Sequence, residues 1–518
     1  MNLPSLVPPL EPSTHPRRSE HDLAAYKALL SLALFVPATL LVAGPFVGID
    51  LAPAVLSILS LAAAFTSVRA GNVVRMARRV RAAYDGGAPV VAPPLRWRHV
   101  IVVPIYKETV RTISRTLERL ASHAAAATNY VVLCAFEEHD PAHEDKSRRL
   151  GEAFGNEFLA LISSVHAIQS HECPGKAANV NHAVRTFAAA QDPESYATTF
   201  VTVLDCDTLV DERYFPELER RVAAAADPHA AVFAAPALFE SNRAEVPCFV
   251  RAMDDLWSLS AAANLFSLSG LGFPISNYSL SLRMLDEMDY WDVGADAVGE
   301  DFHTFVKAAA TFGDRARLVP LAVPMNNEHV AGHDYRGSLL ARYSQSLRHA
   351  LGISSTAYLL RHLTRSAFSP RRWLLLLLCL ESHLLPLLYF ACGLYVVGCL
   401  ATDQTAHFFR GIRTPWFLGL WCVSIATFAV AFGAYKQTQY YLRRRGFGRR
   451  TSLARSLARD AVDLGVQGTC ALAYFLVPFG YRACQNLVFR RHRTYYGRIE
   501  ERSRRYHDAG TCDFAERR

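Results

Sequence analysis

No CxxC pair occurs in this chain, and its eleven cysteines are scattered, several of them within apolar runs (Cys379, Cys392, Cys399, Cys422 and Cys470). Such spacing supports neither a zinc site nor a disulfide framework, so a reduced, cytosol-facing compartment is the simplest expectation. No basic stretch is interleaved with aromatic residues, so the net charge of +8 does not point to nucleic acid. Internal repeats are missing, as is any arrangement of Ser, His and Asp suited to nucleophilic attack. A secretory leader would set a short basic segment before its apolar run and a small-residue cleavage site after it. No such site is clear near the N-terminus, where a second apolar run follows directly, so a retained membrane anchor is expected.

What is present is apolar length in five places: residues 28–44, 51–67, 373–400, 416–435 and 461–481 read as lipid-length runs. Arginines crowd beside them, at Arg75, Arg78, Arg79 and Arg81, at Arg443 to Arg445 with Arg449 and Arg450, and at Arg490, Arg491 and Arg493. Basic flanks of this kind mark the cytoplasmic side of a bilayer. Five crossings, however, would set the two chain ends on opposite sides, whereas the loop at 443–450 and the tail at 482–505 are both arginine-rich. A last run that is re-entrant, interrupted by Gly465, Gly468 and Pro478, is the expectation that removes the conflict.

The organisation that follows is a Pro- and charge-rich disordered N-terminus (1–22), two membrane helices (23–68) and a basic connector and linker (69–96). A soluble domain (97–336), amphipathic interface helices (337–372), about three membrane segments (373–481) and a basic tail (482–518) come next. Within the soluble part, "HVIVVPI" (99–105), "YVVLCAF" (130–136) and "TFVTVLD" (199–205) predict buried parallel strands. Helical patterns over 110–127 and 176–190 separate them, and "AVFAAPALF" (231–239) predicts a further strand. This α/β, doubly wound pattern places ligands at the carboxyl ends of the strands.

Acidic residues gather at those ends. Asp205 and Asp207 close the third strand as D-x-D, hard oxygen ligands able to hold Mg2+ or Mn2+ beside a diphosphate, though the pair alone also fits a solvated loop. Glu108 follows the first strand; Glu137 and Glu138 follow the second. "HECPGKAANVNHAV" sets Lys176 at the start of a helix behind a Pro-Gly turn, where an ammonium and helix amides suit a phosphate. Glu300 and Asp301 open a later helix, a position that the helix dipole also favours for ordinary acids.

Taken in order, VVPIYKE, CAFEEHD, PGKAANVNHA, LDCD, GED and QSLRH resemble the family 2 glycosyltransferases. They look most like the multi-spanning membrane branch that includes cellulose, chitin and hyaluronan synthases. The resemblance covers about residues 97 to 350. It implies a GT-A type nucleotide-sugar-binding domain flanked by transmembrane helices, and an inverting transfer. By position, Pro104, Tyr106 and Glu108 would meet the nucleoside, with Lys107 where Asn is usual. Glu137 or Glu138 would contact the base, and Lys176 the diphosphate. Asp205 and Asp207 would serve the metal and donor, Asp207 as the more direct ligand. Asp301 would be the general base with Glu300 beside it, and Gln345 and Arg348 would match Q-x-x-R-W. His349 departs from the tryptophan of that motif, against which an acceptor sugar can stack. Asn277 in "FPISNYSLSLR" is a candidate acceptor contact, or a simple turn asparagine.

The resemblance thus implies a nucleotide sugar, with UDP foremost, as donor and a glycan or lipid as acceptor, at the cytosolic face of a bilayer. Polysaccharide synthesis and a single, glycolipid-forming addition stay open as products, the latter favoured slightly by His349. A catalytically silent membrane scaffold would not need Asp205, Asp207 and Asp301 intact. A transporter without catalysis would not need half its chain as a soluble α/β domain. Glu381 and His383, in the third run, either line a polar pathway or pair between helices.

Overall fold

The computed structural model describes residues 16–86, 95–170, 172–294, 299–383, 385–402, 405–449 and 451–481. The expected tail at 482–518, residues 1–15 of the expected disordered segment and linker residues 87–94 lie outside the described residues. Near-continuous aliphatic sequence makes β1 (Arg98–Ile105) and β2 (Tyr130–Glu137), which are buried almost throughout, as central parallel strands are. β3 (Ala160–His166), β4 (Thr199–Val203), β5 (Ala231–Ala234), β6 (Ala237–Phe239), β7 (Tyr278–Ser281), β8 (Arg317–Pro320) and β9 (Met325–Asn327) follow along the chain. Seven strands form one sheet in the order β3-β2-β1-β4-β7-β5-β8, while β6 pairs with β9 apart from it.

Four departures from the expected pattern have local causes. β3 was not expected because "ALISSVH" lies at the sheet edge, half exposed, with two serines in its apolar run. β7 runs antiparallel between β4 and β5, so the sheet is mixed rather than purely doubly wound. The segment 231–239 is two strands, because Pro236 between them has no amide hydrogen for a ladder. The helix begun at Val110 stops at Ala121, where Ser122 caps it and the His123 ring turns in against Tyr130 and the Val210 carbonyl.

Among the described residues, four helices are long and apolar enough to cross a membrane, within Leu23–Val47, Ala52–Asp85, Pro415–Arg444 and Leu453–Tyr481. The third apolar run is instead a pair of helices, Pro370–His383 and Leu385–Ala401, bent by 51°. Its first half lies on the α/β domain: Arg371 donates to the carbonyls of Ser269, Gly270 and Ala316, and His383 meets the Phe302 ring at 4.5 Å. Its second half leads away, until Gly398 packs on Pro45 and the Tyr395 hydroxyl accepts from the Leu51 amide at 3.2 Å. Glu381 is not left alone in lipid, since Arg69 binds it at 2.6 Å.

The helices Ala52–Asp85 and Pro415–Arg444 run side by side in the same direction. Val55 and Phe417 share a cluster at the far end, and Arg445 meets Asp85 at 2.6 Å beside the α/β domain. Val73, Met76, Val80 and Tyr84 of the first belong to the same buried core as β1, β2 and β4. Buried charges fasten this junction. Asp255 accepts from Arg243 at 3.0 and 2.8 Å and meets Lys436 at 2.5 Å, while Asp463 meets both Arg243 and Arg251. Burial alone would raise the Asp255 pKa, but Arg243 and Lys436 overcome it and hold the carboxyl well below its usual range. Removing one partner of such a group strands the others without counter-charge. Asp255→Ala is therefore expected to destabilise the protein by about 3–5 kcal/mol, read as a lower apparent midpoint of thermal unfolding in detergent; an unchanged midpoint would show that the junction holds without it.

Candidate active site

The carboxyl ends of β1, β2 and β4 open on one side of the sheet, because the three strands are parallel and in register. The helix Lys176–Ala189 begins at that edge after Gly175, whose φ of +142° lies in the region that favours glycine. A second helix, Glu300–Phe312, begins after Gly299, which adopts φ +87°. Two helix starts and one strand end thus bring Lys176, Asp205, Glu300 and Asp301 together.

The Lys176 ammonium is the centre. It lies 2.8 Å from Asp205 Oδ1 and 3.1 Å from Glu300 Oε1, and it donates to the Ser276 carbonyl at 2.6 Å. Burial alone would lower its pKa; Asp205, Glu300 and Asp301 more than offset that and raise it, so the group stays cationic. The same Ser276 donates its amide to Asp301 Oδ2 at 2.7 Å, while Phe302 donates its own to Oδ1 at 2.8 Å. The backbone of one residue therefore joins the cation to the expected base. Ser276 carries φ +60°, a strained backbone for a residue with a Cβ and the sort of cost found at functional sites. Glu300 is buried and also accepts from the Tyr278 hydroxyl at 3.3 Å. Burial pushes its carboxyl up to about 7, with Lys176 opposing and Asp301 and Asp205 adding to the rise.

Asn277 is not placed as an acceptor contact. It is 1% exposed, its side-chain oxygen accepts the Asp205 amide at 2.8 Å, and its amide donates to Thr208 and Asn327. It holds the D-x-D turn, which spans Leu204 to Asp207 because β4 ends at Val203 and not at Asp205 as expected. The Asp207 carboxyl is pushed up to about 8, first by burial and then by Asp205, Glu328 and Glu108. Glu328 was not anticipated from the sequence; it is bound by Arg115 at 2.5 Å. Among the described residues no group of three or more His, Cys, Asp and Glu encloses a metal. A surplus of hard carboxylate oxygens nevertheless suits Mg2+ or Mn2+, ions commonly held by one or two carboxylates with substrate phosphates completing the shell.

The nucleoside-side residues stand apart from this centre. Pro104 lies within β1 opposite Ala135, and Glu108 folds back to accept the Tyr106 amide at 2.8 Å. Glu137 ends β2 buried, whereas Glu138 is exposed. Gln345, Arg348 and His349 ride on the helix Tyr335–His349, and among the described residues no hydrogen bond or ion pair joins them to Lys176, Asp205 or Asp301. Gln345 accepts from Arg342 at 3.1 Å, and Arg348 is exposed. The His349 ring lies edge-on to Trp257 at 5.2 Å. Arg342 went unnoticed in the sequence although it is wholly buried, bound at 2.9 Å to Asp254, which also holds His329 at 2.7 Å. Its place one turn before Gln345 was the available signal.

Residues 200–434 match the family model described as glycosyl transferase family group 2. No curated protein matches the chain. Among solved structures, a mannosyltransferase of Pyrobaculum calidifontis in complex with GDP-Man and Mn2+ is similar at 16% identity and a TM-score of 0.43, over 73% of this chain and 97% of its own. Residues 1–349 of S. aureus TarS in complex with UDP-GlcNAc are similar at 17% identity and a TM-score of 0.31, over 66% of this chain and 93% of that one. Those two likenesses are too distant to speak for this chain's donor. The matched segment opens on β4 and its D-x-D turn, around which the acids and the ammonium gather, and over residues 200–434 the chain is similar to the glycosyltransferases of family group 2.

Proposed function

We propose that the chain moves a sugar from a nucleoside diphosphate sugar, UDP-linked by the resemblance of its motifs, to a hydroxyl of a glycan or lipid acceptor at the cytosolic face of a membrane. The observation that carries this reading is the Ser276 backbone, whose carbonyl holds Lys176 and whose amide holds Asp301. In the inverting displacement, the anomeric carbon–oxygen bond breaks and its electron pair leaves with the diphosphate. Lys176 offers that group a cation fixed in advance, the kind of preorganised charge that contributes most to such catalysis. The acceptor oxygen forms the new bond from the opposite face and gives its proton to Asp301. The two amides on Asp301 orient its carboxylate, and each oxygen keeps a lone pair for that proton. Asp205 and Asp207, with donor phosphate oxygens, would hold Mg2+ or Mn2+, which when bound offsets charge on the departing diphosphate. A single addition, forming a glycolipid, is favoured over a polymer by His349, whose ring is smaller and more polar than the tryptophan of the motif.

Purified protein in nanodiscs, given a panel of nucleotide sugars with Mn2+ or Mg2+, should release nucleotide from one of them, and product mass separates one addition from many. Asp207→Ala is expected to abolish metal-dependent transfer; unchanged turnover would remove Asp207 from the metal's ligands. Asp301→Asn is expected to keep donor affinity within a few-fold while stopping transfer. Lost affinity with surviving transfer would contradict its role as base. Below about pH 7 the proton rests on Glu300 and leaves the Lys176 charge to the diphosphate; above it the Glu300 anion competes for that ammonium. The kcat/KM profile of the wild type should therefore fall on the alkaline side of pH 7, and Glu300→Gln should flatten that limb; an identical limb in the variant would assign it to another group.

A further inference from the structure

The helix Leu453–Ala471 has its polarity reversed for a helix in water. Asp460 and Asp463 point inward, to Arg243, Lys436 and Arg251, and Ser456 binds Arg443 at 2.6 Å. Outward it shows Leu457, Ala458, Ala461, Val462, Leu464, Gly465, Gly468, Thr469 and Leu472, so that from 457 to 472 no exposed position is charged. Leu457 and Val462 are 60% and 53% exposed. Lipid is the medium such a face fits.

Length alone would let this helix cross the bilayer. Its contacts oppose a crossing. It packs antiparallel on the helix Cys248–Leu265: Asp463 meets Arg251, and seven residues later the Cys470 thiol donates to the Phe249 carbonyl at 3.4 Å. That partner lies across the two parallel spans. Midway along it, Asp255 meets Lys436 and Gln439 of Pro415–Arg444. At its carboxyl end, the Ala263 and Phe266 carbonyls accept from Asn72 and Arg75 of Ala52–Asp85. Residues 434–441 stand beside residues 74–81, so both contacts meet the spans within about two turns of the same level, although Asp255 and Phe266 are about 16 Å apart along the chain's axis there. The stretch beyond Ala471 then stays on the catalytic side. Tyr474 joins Ala252 and Met253, and Phe479 stacks on His383 at 5.8 Å, which in turn meets Phe302 beside Asp301.

We propose that Leu453 to Tyr481 is a strap that lies in the lipid leaflet next to the catalytic domain, binding that leaflet through its outer apolar face rather than spanning it. The crossings are then Leu23–Val47, Ala52–Asp85, Leu385–Ala401 and Pro415–Arg444, and the arginine-rich turn at 443–449 falls on the catalytic side. An even number of crossings removes the charge conflict that five would create.

The test uses the full-length protein in sealed proteoliposomes. Nitroxide labels at Leu457→Cys and Leu472→Cys, with accessible native cysteines changed to serine, sit about 22 Å apart along a helix. Collision with dissolved oxygen and with a water-soluble nickel chelate reads the depth of each. The strap requires both labels at one shallow depth, whereas a crossing helix would separate their depths by about 20 Å and overturn the proposal. In parallel, a peptide tag added after Arg518, which leaves the helix unaltered, must be protected or cleaved by added protease together with a tag in the 446–449 loop. Opposite behaviour of the two tags would equally overturn it.

Discussion

Everything at the cleft depends on one ammonium held among carboxylates. Without Lys176, Asp205 and Glu300 would face each other in a half-buried space, with Asp301 adjacent and Asp207 already pressed by its own acidic neighbours. The lysine keeps these acids close, and it is the cation proposed to meet the donor's diphosphate. That charge can be held so near the acids because its anchors are rigid. The helix start supplies the lysine, Asn277 fixes the Asp205 amide, and Tyr278 braces Glu300 from within β7. An antiparallel strand that breaks the parallel order is what delivers both Asn277 and Tyr278.

The membrane part and the catalytic part are not separate bodies joined by a linker. Residues of Ala52–Asp85 and Pro370–His383 share one apolar core with the central strands, and the buried ion cluster around Arg243 and Asp255 draws Pro415–Arg444 and Leu453–Ala471 onto the same junction. Charges so placed add little net stability over apolar packing, but they penalise any arrangement that leaves one of them single. The register of the helices against the domain is thereby specified more strongly than apolar contact alone would specify it.

Much of this was legible in the sequence, and the illegible part has physical reasons. Strands β1, β2 and β4 announced themselves because strands buried on both faces must be apolar throughout. Lys176, Asp205, Glu300 and Asp301 were found because a strand end or a helix start is where such groups can converge. β3 and β7 were missed: the first is an edge strand with exposed serines, and the second is a four-residue strand whose polar Ser279 and Ser281 find buried hydroxyl and imidazole partners. Ser276 could not be singled out, since it acts through its backbone, and no side-chain pattern reports a left-handed serine. Arg342 and Asp254 escaped for a related reason, because they are far apart in the chain and each alone looks like a solvated helix charge. The third apolar run read as one span because composition does not register a 51° bend.

The bridging residue Ser276 carries a consequence of its own. Its carbonyl holds the ammonium proposed to meet the leaving diphosphate, and its amide holds the carboxylate proposed to take the acceptor's proton. The carbonyl and the amide lie on adjacent peptide planes that meet at one left-handed α-carbon, so a rotation there turns one plane against the other. A substitution in the loop that alters this hinge would disturb donor handling and acceptor activation together.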